Sequence, residues 1–234
     1  MDPMIEEIKK STKHVPGFLR DAEAVLLFKL AKSCTGKGVI VEIGSYKGKS
    51  TIWLAKGSQA GHRVKVYAID PHERDRWTFG EFKKNIFEAG IADLVVPLVA
   101  TSKRAALDFA DPVEMIFIDG DHQYESVQRD FELWFPKVIE GGVMAFHDTT
   151  GFEGPKRVVA ERIYRSRNFR DASFVYSTTF AKKVKENTVR QRLRNRLALS
   201  AQSSAFLVLK VVGSFVRGAS NAVRYGRRQA RSST

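Results

Sequence analysis

The sequence predicts a single α/β domain built on a doubly wound, mostly parallel sheet with an antiparallel hairpin at its end, followed by a basic helical extension. Three observations predict it. Short β-branched runs alternate with amphipathic stretches through residues 39–146, polar or glycine-containing turns close each run, and no internal repeat or Pro/Gly/Ser-rich linker appears before residue 185. With 234 residues and 43% apolar composition the chain can bury a core, which excludes a disordered protein.

In chain order, Ala22, Val25, Leu26, Leu30 and Ala31 recur at helical spacing after Asp21, the expected cap, and predict a helix over residues 21–34. Residues 39–43 form a buried strand closed by Gly44, and a helix opens at Ser50 after Gly48. The alternation continues with strands at 64–69, 94–99, 115–118 and 143–146 and helices at 79–89, 102–109 and 124–139. A helix over 155–165 leads to two short runs, 172–176 and 180–184, about a turn apart; these predict the closing hairpin and bring the sheet to seven strands.

Charge divides the chain in two. Lys and Arg number 39 against 26 acids, for a net charge of +13, yet residues 182–234 hold 13 basic side chains and only one acid, Glu186. The rest is near neutral, so residues 1–185 read as the domain and 186–234 as an appendage. Its arginines at 190, 192, 194 and 196 precede an apolar stretch, 205–216, broken by Lys210, and Arg217, Arg224, Arg227, Arg228 and Arg231 follow. A basic amphipathic helix of this kind suits an anionic membrane surface. Nucleic-acid binding is disfavoured, because only Tyr225 lies among the arginines. Self-association into a homo-oligomer is the third reading.

The single cysteine, Cys34, excludes a disulfide framework and a multi-cysteine zinc site and suits a reduced compartment. Residues 1–13 lack the apolar core of a secretory signal, and no stretch reaches the roughly 18 apolar residues of a spanning helix. The expected location is cytoplasmic, with the appendage bringing the chain to the membrane face.

In an open parallel sheet, ligands bind beyond the carboxyl ends of the strands. Each predicted strand delivers polar groups there: Gly44 to Thr51, Asp70, Thr101-Ser102, Asp119-Gly120-Asp121-His122 and His147-Asp148-Thr149. Taken singly, each aspartate is as well explained as a helix cap; five coincident tips point to a site. The first turn is one residue short of a P-loop, and Tyr46 occupies the second glycine position of a dinucleotide fingerprint. Glu42, Gly44, Gly48 and Asp70 instead suit a cationic, amino-acid-bearing nucleoside: one carboxylate for its ammonium group, bare backbone beside its chain, and one carboxylate for its ribose hydroxyls.

V-E-I-G-S-Y-K-G-K-S-T (41–51), Y-A-I-D (67–70), I-D-G-D-H-x-Y-E-x-V-x-x-D (118–130) and G-G-V-M-A-F-H-D (141–148) resemble the class I S-adenosylmethionine-dependent methyltransferases, in particular the small branch of sugar and natural-product O-methyltransferases similar to macrocin and catechol O-methyltransferases. The resemblance covers about residues 15–185. It implies a Rossmann-like fold and S-adenosyl-L-methionine as cofactor, with Gly44, Gly48 and Ser50 along the methionine moiety, Glu42 nearby, Asp70 on the ribose, Ser102 beside the adenine and Asp119 bordering the same pocket. It also places Asp119 and the pair His147-Asp148 where the metal-dependent branch keeps magnesium ligands, although His147 departs from the carboxyl or amide usual there.

Methyl transfer to an alcohol needs the oxygen in line with the methyl group and its proton removed. Asp119, Asp121, His147 and Asp148 are the expected ligands of a divalent ion, Mg²⁺ or Mn²⁺, that would hold a vicinal diol. Asp121 and His122 are the expected catalytic pair, with His122 taking the proton. The expected acceptor is a hydroxylated small molecule, a sugar of a glycan or a lipid-linked sugar. The alternatives are a nucleotide-binding, phosphate-handling protein and an RNA methyltransferase using the basic tail.

Overall fold

The computed structural model describes residues 3–73 and 77–205. Seven strands, β1 (Val39–Ile43), β2 (Val66–Ile69), β3 (Val95–Leu98), β4 (Val113–Ile118), β5 (Val138–Phe146), β6 (Phe169–Val175) and β7 (Thr178–Lys183), form one sheet in the order β3-β2-β1-β4-β5-β7-β6. The first five are parallel, and β7 runs antiparallel to both β5 and β6. The sequence direction reverses between β1 and β4, so the tips of these two strands flank the crevice where an open sheet binds ligands.

The sheet is buried on both faces, which explains why its strands read as unbroken apolar runs. On one face pack α1 (Pro3–Thr12), α2 (Asp21–Lys32), α3 (Lys49–Gln59) and α4 (Thr78–Glu88), through Leu27, Phe28, Trp53 and Phe82. On the other lie α5 (Ser102–Asp108), α6 (Tyr124–Trp134), α7 (Glu153–Val159) and a π-helical turn over Ala160–Tyr164, through Phe131, Trp134, Ile163 and Tyr164. Cys34 is buried and free.

Several boundaries differ from the sequence reading. The helix expected over 124–139 stops at Trp134, because Pro136 has no N–H to continue it and disfavours helical backbone before it; a 3₁₀ turn, Phe135–Lys137, follows. Strand β5 therefore starts at Val138. Asp21 is the first residue of α2 and not its cap; Arg20 stands at the cap, its N–H donating to Glu23 Oε2 at 3.2 Å. Helix α1 lies in the segment read only as lacking a secretory signal.

Residues 189–205 are helical (α8). This start of the extension docks on the domain: the buried Asn195 accepts from the Ala172 N–H and donates to the Phe169 carbonyl, and the buried Gln202 donates to the hydroxyls of Thr149 and Thr179. The apolar stretch through 216 and the arginines at 217–231, on which the membrane, RNA and self-association readings rest, lie outside the described residues apart from Ala205. No helix among the described residues is long and apolar enough to cross a membrane.

Candidate active site

Gly44 ends β1 with φ +89°, and a Cβ there would overlap the backbone carbonyl of Asp119 at the end of β4. Glycine is needed for both reasons. The contact brings the β1 and β4 tips together. Gly48 caps α3 at φ +89°, its open side facing Phe82 and Ile86. Between the glycines Tyr46 turns left-handed, φ 44°, and its N–H donates to Asp70 Oδ2 at 2.8 Å; Asp70 Oδ1 accepts the His72 N–H at 2.7 Å. A carboxylate thus occupies a loop amide that a phosphate-binding loop would present, which does not favour the near-miss P-loop reading.

Glu42 lies fully buried beneath this turn. Its Oε2 accepts from the Thr51 hydroxyl, Ser50 bonds the same carboxyl, and Oε1 has no partner. Burial pushes its pKa up to about 8 against these hydrogen bonds, and the charges of Asp119 and Asp70 add to the rise. An orphaned buried carboxyl oxygen beneath a bare glycine turn is a fitting partner for a ligand cation.

A cavity of about 580 Å³ opens beside this turn, lined among others by Gly44, Asp70, His72, Ser102, Asp119 and Asp130. Ser102 is fixed by the buried Trp134, whose indole N–H donates to its hydroxyl at 2.9 Å, so this core tryptophan also orients a cavity residue. The His72 ring packs against Phe79 and Phe82, and burial lowers its pKa.

A second cavity, about 380 Å³, adjoins the first and shares Gly44, Tyr46, Asp119 and Gly120 with it. Pro16 to Leu19 forms its outer wall, and Lys49, Ser50, His122, His147 and Asp148 line the rest. His122 Nε2 lies 3.0 Å from Asp148 Oδ2, and its ring stacks on Phe152 with centroids 3.9 Å apart. Asp148 holds a left-handed backbone, φ 56°, uncommon for a side chain other than glycine and the kind of strain that clusters at functional sites.

His147 turns away from the cavity mouth. It is 4% exposed, with Nδ1 3.1 Å from Asp119 Oδ1 and Nε2 3.5 Å from Glu23 Oε2. Burial opposes its charge, but Asp119, Asp148 and Glu23 outweigh this and raise its pKa to about 12, so it is an imidazolium at neutral pH. Glu23, itself 1% exposed, also accepts from the Ser177 N–H and from the hydroxyls of Ser177 and Thr178. Burial raises its pKa, and His147 with Ser177 overcomes that to hold it at about 2. A buried ion pair therefore ties α2 and the β6-β7 hairpin to the tip of β5.

Of the residues expected from the sequence, the structure gathers Asp119, His122 and Asp148, whose donor atoms all lie within 4.8 Å of one another. It does not gather Asp121, which lines the first cavity and orders the turn leading into α6, its Oδ1 accepting the N–H groups of His122 and Gln123. A hydrogen bond from Ser126 leads the interactions that lower the Asp121 pKa. Glu23, His72 and Phe152 went unnoticed in the sequence. Glu23 left one signal: it stands on the stripe Ala24, Leu27, Phe28 and Ala31, where an acid needs a partner.

Residues 41–149, from within β1 to just past the β5 tip and with the whole lining of the larger cavity, match the family model described as a methyltransferase domain. Over this segment, just under half of its length, the chain is similar to methyltransferase domains. It is 38% identical over 131 residues to the uncharacterized protein R132 of Acanthamoeba polyphaga mimivirus, covering 51% of this chain and 55% of that one. It is 32% identical over 85 residues to the catechol O-methyltransferase of Mycobacterium tuberculosis, covering 36% of each. The chain thus spans about half or less of these curated relatives. The methyltransferase fold is shared with the O-methyltransferase TomG of Streptomyces achromogenes in complex with S-adenosylmethionine: TM-score 0.59, 18% identity, 79% of this chain and 91% of that one.

Proposed function

We propose that this chain transfers a methyl group from S-adenosyl-L-methionine to a hydroxyl of a small molecule, a sugar among the candidates. One observation carries the reading: two cavities share a wall at Gly44, Tyr46, Asp119 and Gly120, the larger carrying Asp70 and the smaller ending on His122 and Asp148. Asp70 and Ser102 would hold the nucleoside, and the Glu42 carboxyl beneath the turn, neutral in the free protein at pH 7, would ionise as the ligand cation docks above it. When bound, S-adenosylmethionine supplies an electrophilic methyl group on a sulfonium. The shared wall sets where a nucleophile must stand: an acceptor in the smaller cavity has its oxygen beside Gly44 and Asp119.

His122 would take the hydroxyl proton on Nδ1, the ring nitrogen that does not meet Asp148. Asp148 and the stacked Phe152 hold the ring in one orientation, which is most of what a general base needs from its surroundings. His147 balances the negative charge of Asp119 and Asp148 without contributing to proton transfer.

A second reading rests on the 4.8 Å grouping of Asp119, His122 and Asp148. One imidazole and two carboxylates would hold a divalent ion, with Mn²⁺ better suited than Mg²⁺, and the ion would make a bound diol more acidic. Steady-state methylation of hydroxylated acceptors by the parent and by His122→Ala, each with and without chelator, tests both. Loss of turnover in His122→Ala with S-adenosylhomocysteine affinity intact supports the base, loss to chelator with recovery on Mn²⁺ supports the ion, and full turnover in His122→Ala rejects both roles of that residue.

A further inference from the structure

A third hollow, about 310 Å³, lies on the far side of Lys49 from the acceptor cavity and shares Lys49 and Leu19 with it. Four lysines line it, Lys9, Lys10 and Lys13 together with Lys49, against a single acidic residue, Asp21. Asp21 lies 3.4 Å from Lys9, which also pairs with Glu6. Lys10, Lys13 and Lys49 have no carboxylate within ion-pair distance among the described residues. Residues 1–181 are otherwise near neutral, so this is a local concentration of charge and not part of a general basic surface.

Helix chemistry accounts for part of the cluster. Lys9 and Lys10 stand in the last turn of α1, where the helix dipole favours cations. Lys49 has the opposite setting. It is the first residue of α3, at the positive end of its dipole, and its ammonium reaches only the Gly17 carbonyl at 3.5 Å. Gly17 packs directly on its methylene stem, where a Cβ would come within 3.0 Å of Cδ. The stem is thus held between the acceptor cavity and the lysine hollow, with a charge that neither local structure nor a protein partner explains.

Building on the methyltransferase reading, we propose that the acceptor is phosphorylated, its phosphate or diphosphate docking among Lys10, Lys13 and Lys49 while its hydroxyl end enters the adjoining cavity beside His122. Lysine binds phosphate as a point charge, and three ammonium groups without carboxylate partners suit a group carrying more than one negative charge. A soluble nucleotide-linked sugar and a sugar diphosphate on a lipid carrier present the same chemistry to this hollow.

The test is calorimetric titration of the full chain and of Lys10→Gln/Lys13→Gln, first with S-adenosylhomocysteine and then with inorganic pyrophosphate, at low and at physiological salt. The expected result is equal S-adenosylhomocysteine affinity in the two proteins, with pyrophosphate affinity at least about tenfold lower in the variant and falling with salt in the parent. Pyrophosphate that fails to bind the parent, or binds both proteins equally, overturns the proposal. Failure of S-adenosylhomocysteine to bind the parent overturns the methyltransferase reading instead and leaves the pyrophosphate result standing. Displacement of pyrophosphate by UDP-glucose, or by polyprenyl diphosphate glucose in phosphatidylcholine vesicles, supports the proposal and names the source; displacement by neither overturns the assignment to the acceptor.

Discussion

Replacing Glu23 by glutamine keeps the volume of a buried side chain and removes the charge that faces His147. The Glu23 pKa falls from an ordinary 4.5 to about 2 on folding, and this side chain is 1% exposed, so solvent screening does not discount the shift. At about 1.4 kcal/mol per pKa unit the difference is about 3 kcal/mol, in line with the roughly 3 to 5 kcal/mol lost when one partner of a buried pair is removed. Because the folded pKa lies below the unfolded one, this stability is present above about pH 4.5 and is lost as the pH falls toward 2. His147 has the opposite sign: its raised pKa gives stability present below about 6.5 and lost as the pH rises. Urea denaturation of parent and Glu23→Gln should differ most between these limits, and a 3 kcal/mol loss in a chain of this size lowers Tm by about 6 to 12 °C. A difference under about 1 kcal/mol at pH 5.5, or one that grows on acidification, would refute the ion pair.

Gly44→Ala should cost about 2 to 5 kcal/mol, the sum of a left-handed backbone and overlap with the Asp119 carbonyl, and should abolish S-adenosylhomocysteine binding in any folded fraction, as read by denaturation and calorimetry. Glu42→Gln should flatten the stability profile between about pH 4.5 and 8, because the raised pKa of Glu42 makes the parent lose stability as the pH climbs through that range; the same denaturation series checks it. Asn195→Ala leaves the Ala172 N–H and Phe169 carbonyl without that buried partner and should cost about 1 to 3 kcal/mol, with faster hydrogen exchange at β6 as the readout.

Most of the frame was legible because parallel strands buried on both faces write themselves as short β-branched runs, and because glycine at 44 and 48 marks turns that other residues strain to make. The tips of β1, β2, β4 and β5 were legible for a related reason: polar residues straight after apolar strands have few structural duties. What the sequence hid is direction. Asp119 and Asp121 are two residues apart, yet Asp119 faces His147 whereas Asp121 folds back on the start of α6. His147 and Asp148 are adjacent, yet His147 points inward to Glu23, 124 positions earlier in the chain, while Asp148 turns to His122. Long-range pairing of this kind follows from the packing of α2 over the β5 tip, which no local pattern encodes. Helix α1 was hidden by its charges, because its buried face rests on only Ile5, Ile8 and Thr12.

Calorimetric titration of the parent chain and of Asp70→Asn with S-adenosylhomocysteine and, separately, ATP bears most directly on the account. Asp70 ties the β1 turn to the larger cavity, so the nucleoside should bind the parent, bind Asp70→Asn about tenfold or more weakly, and leave ATP without measurable affinity. Tight ATP binding with no response to S-adenosylhomocysteine would contradict it.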